Sequence, residues 1–149
     1  MGVFDAHWIP VVLEVLRELG SNHVLVVAAD DGLDEISIAA DTHVGELKQG
    51  EITQYTVGPE DFGITRYADY RSLQIDSAEQ SLALLKQALD YSHQAAGDIV
   101  ALNAGAAIYA AELVPDLAAG VEKARAVLQK GAARAKLEHL VKFTSEQAG

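Results

Sequence analysis

The chain has 149 residues, half of them hydrophobic, and carries 22 acidic against 11 basic side chains for a formal net charge of −11. That length supports one domain with a real core rather than two. The charge argues against nucleic acid or an anionic membrane surface as a partner, since both are bound through clustered Lys and Arg. With no cysteine, there is neither a disulfide framework nor a thiolate metal site.

The first ten residues lack the basic start and apolar stretch of a signal peptide, and Ala6 stands where a myristoylation signal needs Ser or Thr. The longest apolar region, residues 99–114, is interrupted by Asn103 and Glu112 and is too short for a bilayer span. A cytoplasmic protein without a membrane segment is expected.

Residues 8–19 place Val12, Val15, Leu16 and Leu19 at helical spacing, with Pro10 in the first turn, where its missing N–H costs little, and Gly20 as the stop. Residues 23–29 form a continuous apolar run, the pattern of a strand covered on both faces. A helix feeding such a strand is half of a parallel βαβ unit. Its first strand is read as a stub at Val3 and Phe4, or as lying in a longer protein. Residues 35–40 are expected to form a short strand, and residues 42–47 and 51–57 a hairpin around Lys48, Gln49 and Gly50. Residues 58–63 break the sheet, and residues 64–76 show no clean period and are read as loop. From Ser77 the pattern turns helical. Ser77 and Gln80 make a capping box ahead of Leu82, Leu85 and Leu89. A second helix is expected from about Asp98 to Leu113, and a third from Asp116 to Lys130 with Gly131 as its stop. A last one carries Leu137, Leu140 and Val141. The fold class is α/β: a partial mixed or parallel sheet with flanking helices and a helical C-terminal half.

Asp30, Asp31, Asp34 and Glu35 crowd into residues 30–37, directly after the apolar strand. In parallel α/β sheets, ligands collect beyond the carboxyl ends of strands. Position and charge together point to a cation, and a hard ion such as Mg²⁺ takes one or two carboxylates plus waters and substrate phosphates. Gly32 would let the backbone turn sharply enough to bring Asp34 and Glu35 back over the strand end. The plainer alternative is that these carboxylates cap backbone N–H groups or are simply solvated. An EF-hand is excluded, because its glycine sits sixth in the loop and Gly32 is third from Asp30.

A phosphoacceptor signalling domain also ends an apolar strand in an acidic pair. It needs a second strand ending in a phosphorylatable Asp, however, and residues 97–105 offer Asn103 there. It also needs a lysine after a later strand, where this sequence is helical. Asn103 is read as a structural hydrogen-bonding residue. His7, His23, His43, His93 and His139 have no metal-ligand spacing and are read as surface or packing residues. No glycine-rich phosphate cradle or nucleophile motif occurs.

Taken in order, VLVVAADDGLDEIS (residues 24–37), THVGELKQGEITQYTVGPEDFGI (42–64), DIVALNAGAAIYAAEL (98–113) and LQKGAARAKLEHL (128–140) resemble the C-terminal part of the anthranilate phosphoribosyltransferase family. The resemblance covers nearly the whole chain. It implies a reaction in which the amine of anthranilate displaces pyrophosphate from C1 of phosphoribosyl pyrophosphate, a step of tryptophan synthesis. It also implies a small helical domain joined to a larger α/β domain, with dimerisation through the helical part. Mg²⁺ is the implied metal, with Asp34 and Glu35 as its ligands and Asp30 and Asp31 in support behind them. No catalytic residue is carried over to this chain, and the residues that grip the substrates are left unassigned.

The departures carry information too. Relatives have, upstream of this region, a GTGGD loop for the phosphates and a KHGN segment, and neither occurs here. Many have His followed by Gly or Ser where this chain has Ala28 and Ala29, and the glycine pair and Asn that often precede the capping-box helix are missing. The chain is therefore expected to match the second half of such an enzyme, to be inactive by itself, and to expose apolar surface that favours self-association. A non-catalytic α/β module and a related nucleoside phosphorylase are the alternatives; GLDEIS with PEDFG favours the transferase over the phosphorylase.

Overall fold

The computed structural model describes residues 1–147. Strands β1 (His23–Ala29), β2 (Thr42–Lys48) and β3 (Glu51–Val57) make one sheet in the order β1-β2-β3, both pairings antiparallel. The β2–β3 hairpin arises as expected. Gln49 and Gly50 both take positive φ (52° and 85°), the twist that a two-residue connection between right-twisted strands requires. Along β1 the side chains alternate between two cores. Val26 and Ala28 face helix α1 (Trp8–Glu18) with Ile9 and Leu13. Leu25 and Val27 face the helical layer on the other side. Burial on both faces is what turned this strand into an unbroken apolar run.

Two expectations about the sheet need correction. The parallel component reduces to one bridge, Gly2 to Val27, so the stub is made by residues 1–3 rather than Val3 and Phe4. Residues 35–40 are not a strand. Ile36 and Ile38 are buried as the alternation suggested, but Ser37 between them is buried too. Ser37 Oγ accepts the amides of Ala39 and Ala40, which bends the chain instead of extending it.

The helical layer contains α2 (Ala78–Leu89), α3 (Gln94–Ala110), α4 (Leu117–Gln129) and α5 (Ala132–Gln147). Helix α3 is central: Leu102 and Tyr109 lie under the sheet with Val44, while Ala101 meets Ala124 and Leu128 of α4. Ser77 caps α2 by accepting the Gln80 amide (3.1 Å). Only half the expected box forms, since Gln80 Oε1 reaches one residue further back to the Asp76 amide (2.8 Å). Asp116 caps α4 by accepting the Ala119 amide (2.8 Å), and Gly131, the expected stop, follows the helix at φ 69°.

Helix α3 begins one turn earlier than expected, because His93 acts as its cap through Nδ1, which accepts the Ala96 amide (3.2 Å). Histidine is outside the usual set of N-cap residues, so the sequence signal was absent. Asp98 consequently lies inside the helix, 3% exposed, where Tyr67, Tyr91 and Gln94 donate to it. No helix among the described residues is long and apolar enough to cross a membrane.

Candidate metal centre

The chain leaves β1 through a closed turn: Ala29 N–H donates to Leu33 O and Gly32 N–H to Ala29 O, both at 3.0 Å. Gly32 takes φ +87°, a left-handed conformation that a side chain would resist. The turn returns the backbone along β1, so that Asp34 and Glu35 join Leu25, Val27, Gly2 and Asn103 in lining one cleft of about 520 Å³. The stub strand presses so closely on this segment that a Cβ on Gly2 would fall 1.6 Å from the Asp34 carbonyl oxygen.

A side chain 67 positions away holds the segment in place. Asn103 Oδ1 accepts the Ile36 amide (2.8 Å), and its Nδ2 donates to Ile36 O (3.1 Å) and to Ile99 O (3.0 Å). The carboxamide thus pairs with both backbone groups of the residue next to Glu35, as a neighbouring strand would. The structural role read for Asn103 is what the geometry displays.

Asp34 and Glu35 are exposed on the cleft wall, and among the described residues neither forms an ion pair with a lysine or arginine. Partial desolvation against the wall pushes the Glu35 carboxyl above its ordinary range, the Asp34 charge pushes it further, and the Met1 ammonium pulls the other way. Two adjacent carboxylates without a lysine or arginine partner are a donor set that gains from a cation. No group of three or more His, Cys, Asp or Glu among the described residues could close around a metal. A pair of carboxylates fits Mg²⁺, which shares its coordination with waters and substrate phosphates, and does not fit an all-protein cage.

Asp30 and Asp31 go elsewhere. Asp30 lies within 2.9 Å of His43 Nε2 at the surface. Asp31 accepts from Ser37 Oγ (2.6 Å) and from the Leu33 amide (3.3 Å), so it binds the acidic turn to itself. The acidic stretch therefore divides into a pair facing the cleft and a pair occupied in local contacts.

Sequence reading missed a polar network at the far end of the sheet. Glu46, 8% exposed in β2, accepts from Tyr109 OH (2.7 Å) and Tyr55 OH (3.0 Å), and its Oε1 lies 2.9 Å from His23 Nε2. Lys48 Nζ lies over the Tyr109 ring and donates to its hydroxyl. A glutamate alternating with apolar residues on a strand reads as solvent-facing; only the tyrosines from β3 and α3 show otherwise. Burial by itself would raise the Glu46 carboxyl, but the hydrogen bonds from Tyr109, Tyr55 and His23 outweigh it and hold the group below its ordinary value. An unfolded chain thus binds this proton at higher pH than the folded one does. The stabilisation is complete above the ordinary value of 4.5 and is lost as pH falls through the lower, folded value. NMR titration of the Glu46 carboxyl carbon should give a midpoint below 4.5, with unfolding free energy declining through that window. A midpoint above it would contradict the network.

Residues 1–134 match the family model described as glycosyl transferase family, a/b domain. Curated relatives include the anthranilate phosphoribosyltransferase of Alkalilimnicola ehrlichii, 52% identical over 146 residues, and that of Methylococcus capsulatus, 53% identical over 148 residues. These alignments take in 98% and 99% of this chain but only 43% of each relative, so the chain spans less than half their length. Among solved structures, the anthranilate phosphoribosyltransferase of Thermus thermophilus is similar with a TM-score of 0.85 at 36% identity, covering 95% of this chain and 41% of that one. The Saccharomyces cerevisiae enzyme in complex with PRPP and Mg shares the fold, with a TM-score of 0.84 at 18% identity over 97% of this chain and 42% of that one. A family model that takes in all three strands, the acidic turn and helices α1 to α4 leaves one conclusion: the chain belongs to the glycosyl transferase family, as an a/b domain.

Proposed function

We propose that the chain is the C-terminal α/β part of an anthranilate phosphoribosyltransferase, acting in tryptophan synthesis in the cytoplasm as half of a larger catalytic unit that dimerises through a helical domain. The observation that carries this reading is the pair Asp34 and Glu35, without a lysine or arginine partner on a cleft wall and followed by Ile36, whose backbone Asn103 holds, in a chain about half identical to curated enzymes of that name.

In the reaction, the amine nitrogen of anthranilate forms a bond to C1 of the ribose while the bond from C1 to the pyrophosphate oxygen breaks. Negative charge accumulates on the departing pyrophosphate and positive charge on the sugar. Mg²⁺, when bound, neutralises the leaving group. Asp34 and Glu35 would hold that ion, and the closed turn at Gly32 together with the Asn103 clamp keeps their backbone from shifting as charge develops. A site whose charges are already in place needs no reorganisation at the moment of reaction. Asp31 supports the pair by bracing the turn from within, and Asp30 lies further out.

The test is a chimera. Replacing the matched stretch of the Methylococcus capsulatus enzyme with this chain should preserve conversion of anthranilate with phosphoribosyl pyrophosphate and rescue a bacterium lacking its own enzyme. The purified chain alone should show no turnover, because groups that act as a unit lose nearly everything when several are removed together. A folded chimera without activity would count against the reading, as would turnover by the isolated chain.

A further inference from the structure

Another cleft, of about 580 Å³, opens between the loop after β3, the start of α3 and the middle of α4, and it shares no lining residue with the cleft of Asp34 and Glu35. It is organised around Asp98, a carboxylate only 3% exposed. Asp98 accepts from the hydroxyls of Tyr67 (2.9 Å) and Tyr91 and from Gln94 Nε2, so both hydroxyl protons are committed to it. Tyr91 therefore turns lone pairs, not a proton, toward the guanidinium of Arg125 beside it on α4. Arg125 Nη2 also donates to Phe62 O (3.2 Å). Both of these neighbours are neutral. Among the described residues, no carboxylate lies within ion-pair distance of Arg125, whereas Arg66, the other arginine of the cleft, is occupied by Asp41 and Glu60. The end of the chain that supplies Arg125 is locally basic: six of the 11 basic side chains lie after residue 120, against three of the 22 acidic ones.

We infer that this cleft binds a small aromatic carboxylate, its carboxylate on Arg125 and its ring among Tyr67, Tyr91 and Ile64. A half-buried guanidinium held in place by neutral groups keeps its charge and its parallel N–H donors for a ligand, and a planar carboxylate matches that fork. Because Asp98 fixes Tyr91 and Tyr91 adjoins Arg125, the donor is oriented before anything binds, which lowers the ordering cost of association. The two tyrosine rings and buried Ile64 supply the apolar area that an aromatic body covers. Phosphate is the poorer fit. A dianion calls for two cations, and only Arg125 faces the cleft without a carboxylate of its own.

The test is a binding titration and needs no turnover, so its outcome is separate from that of the transferase reading. Benzoate has the carboxylate and the ring and nothing else. It should bind the purified chain with a Kd of about a millimolar or below, shifting the ring resonances of Tyr67 and Tyr91 in a saturable way and leaving the amides of Asp34 and Glu35 in place. Acetate, without the ring, and benzamide, without the charge, should each bind at least about tenfold more weakly. Arg125→Lys keeps the charge but loses the fork, and should weaken benzoate by about tenfold or more with the circular dichroism unchanged. Should that variant fail to fold, Gln129→Glu decides in its place: it adds a negative charge at an exposed position of the rim and should weaken benzoate likewise. No saturable shift at Tyr67 and Tyr91, an affinity unchanged in the deciding variant, or acetate, benzamide or inorganic phosphate binding as tightly as benzoate would each overturn the inference.

Discussion

Replacing Asp34 and Glu35 together with alanine in the complete enzyme or the chimera should lower turnover by on the order of a hundredfold or more, since a metal clamp on a leaving group supplies several kcal/mol and each 1.36 kcal/mol is tenfold. The effect should be specific. The apparent affinities for Mg²⁺ and phosphoribosyl pyrophosphate should fall together, because an ion held by these carboxylates would also share its coordination with substrate phosphates. The KM for anthranilate should move little. Asp31→Ala should cost on the order of tenfold to a hundredfold through the Ser37 and Leu33 contacts that brace the turn, as changes just behind a metal ligand do. Asp30→Ala should cost less, since its partner is His43 at the surface. A correctly folded double variant with unaltered Mg²⁺ dependence would return the whole acidic stretch to a solvated turn.

The second large effect is on stability, at the crossing of α3 and α4. A Cβ on Gly120 would lie 2.3 Å from the Gly105 carbonyl oxygen, and one on Gly105 would lie 2.6 Å from Val121 Cα and N. Both obstacles are backbone, so no side chain can turn aside to make room. Gly→Ala in a helix interior gains about 1 kcal/mol of propensity, whereas overpacking a filled core costs about 1–3 kcal/mol and more where backbone must move. The clash should win. Gly120→Ala is expected to destabilise the chain by about 2 kcal/mol net or more, lowering Tm by roughly 5–8 °C for a domain of this size. A Tm that holds or rises would show that the two helices are not in such close contact.

The parts of this account that could be read from the sequence are those governed by neighbouring residues. The buried strand, the hairpin at Gln49 and Gly50, the caps at Ser77 and Asp116 and the turn at Gly32 each follow from local pattern or backbone preference, and each is present. Distant pairings stayed hidden. That Ile36 would be gripped by Asn103 rather than join a strand depends on two segments meeting 67 residues apart. That Glu46 would be buried depends on Tyr55 and Tyr109 arriving from two other elements. The same limit explains the division of the acidic stretch. Four carboxylates within six residues look alike in sequence, and the contact of Asp31 with Ser37 and the opening of Glu35 onto the cleft distinguish them. The neighbours of β1 were legible on one side only: the parallel stub before α1 is present, whereas a strand covered on both faces gives the same apolar run whether its other neighbour is parallel or antiparallel.

The most direct test of the metal site uses Mn²⁺ in place of Mg²⁺ in the complete enzyme or the chimera, with phosphoribosyl pyrophosphate bound. The paramagnetic ion should broaden the backbone amide resonances of Asp34, Glu35 and Ile36 beyond detection and leave those of α5 sharp. Sharp signals from the acidic turn, with broadening centred elsewhere, would contradict the assignment of the metal to Asp34 and Glu35.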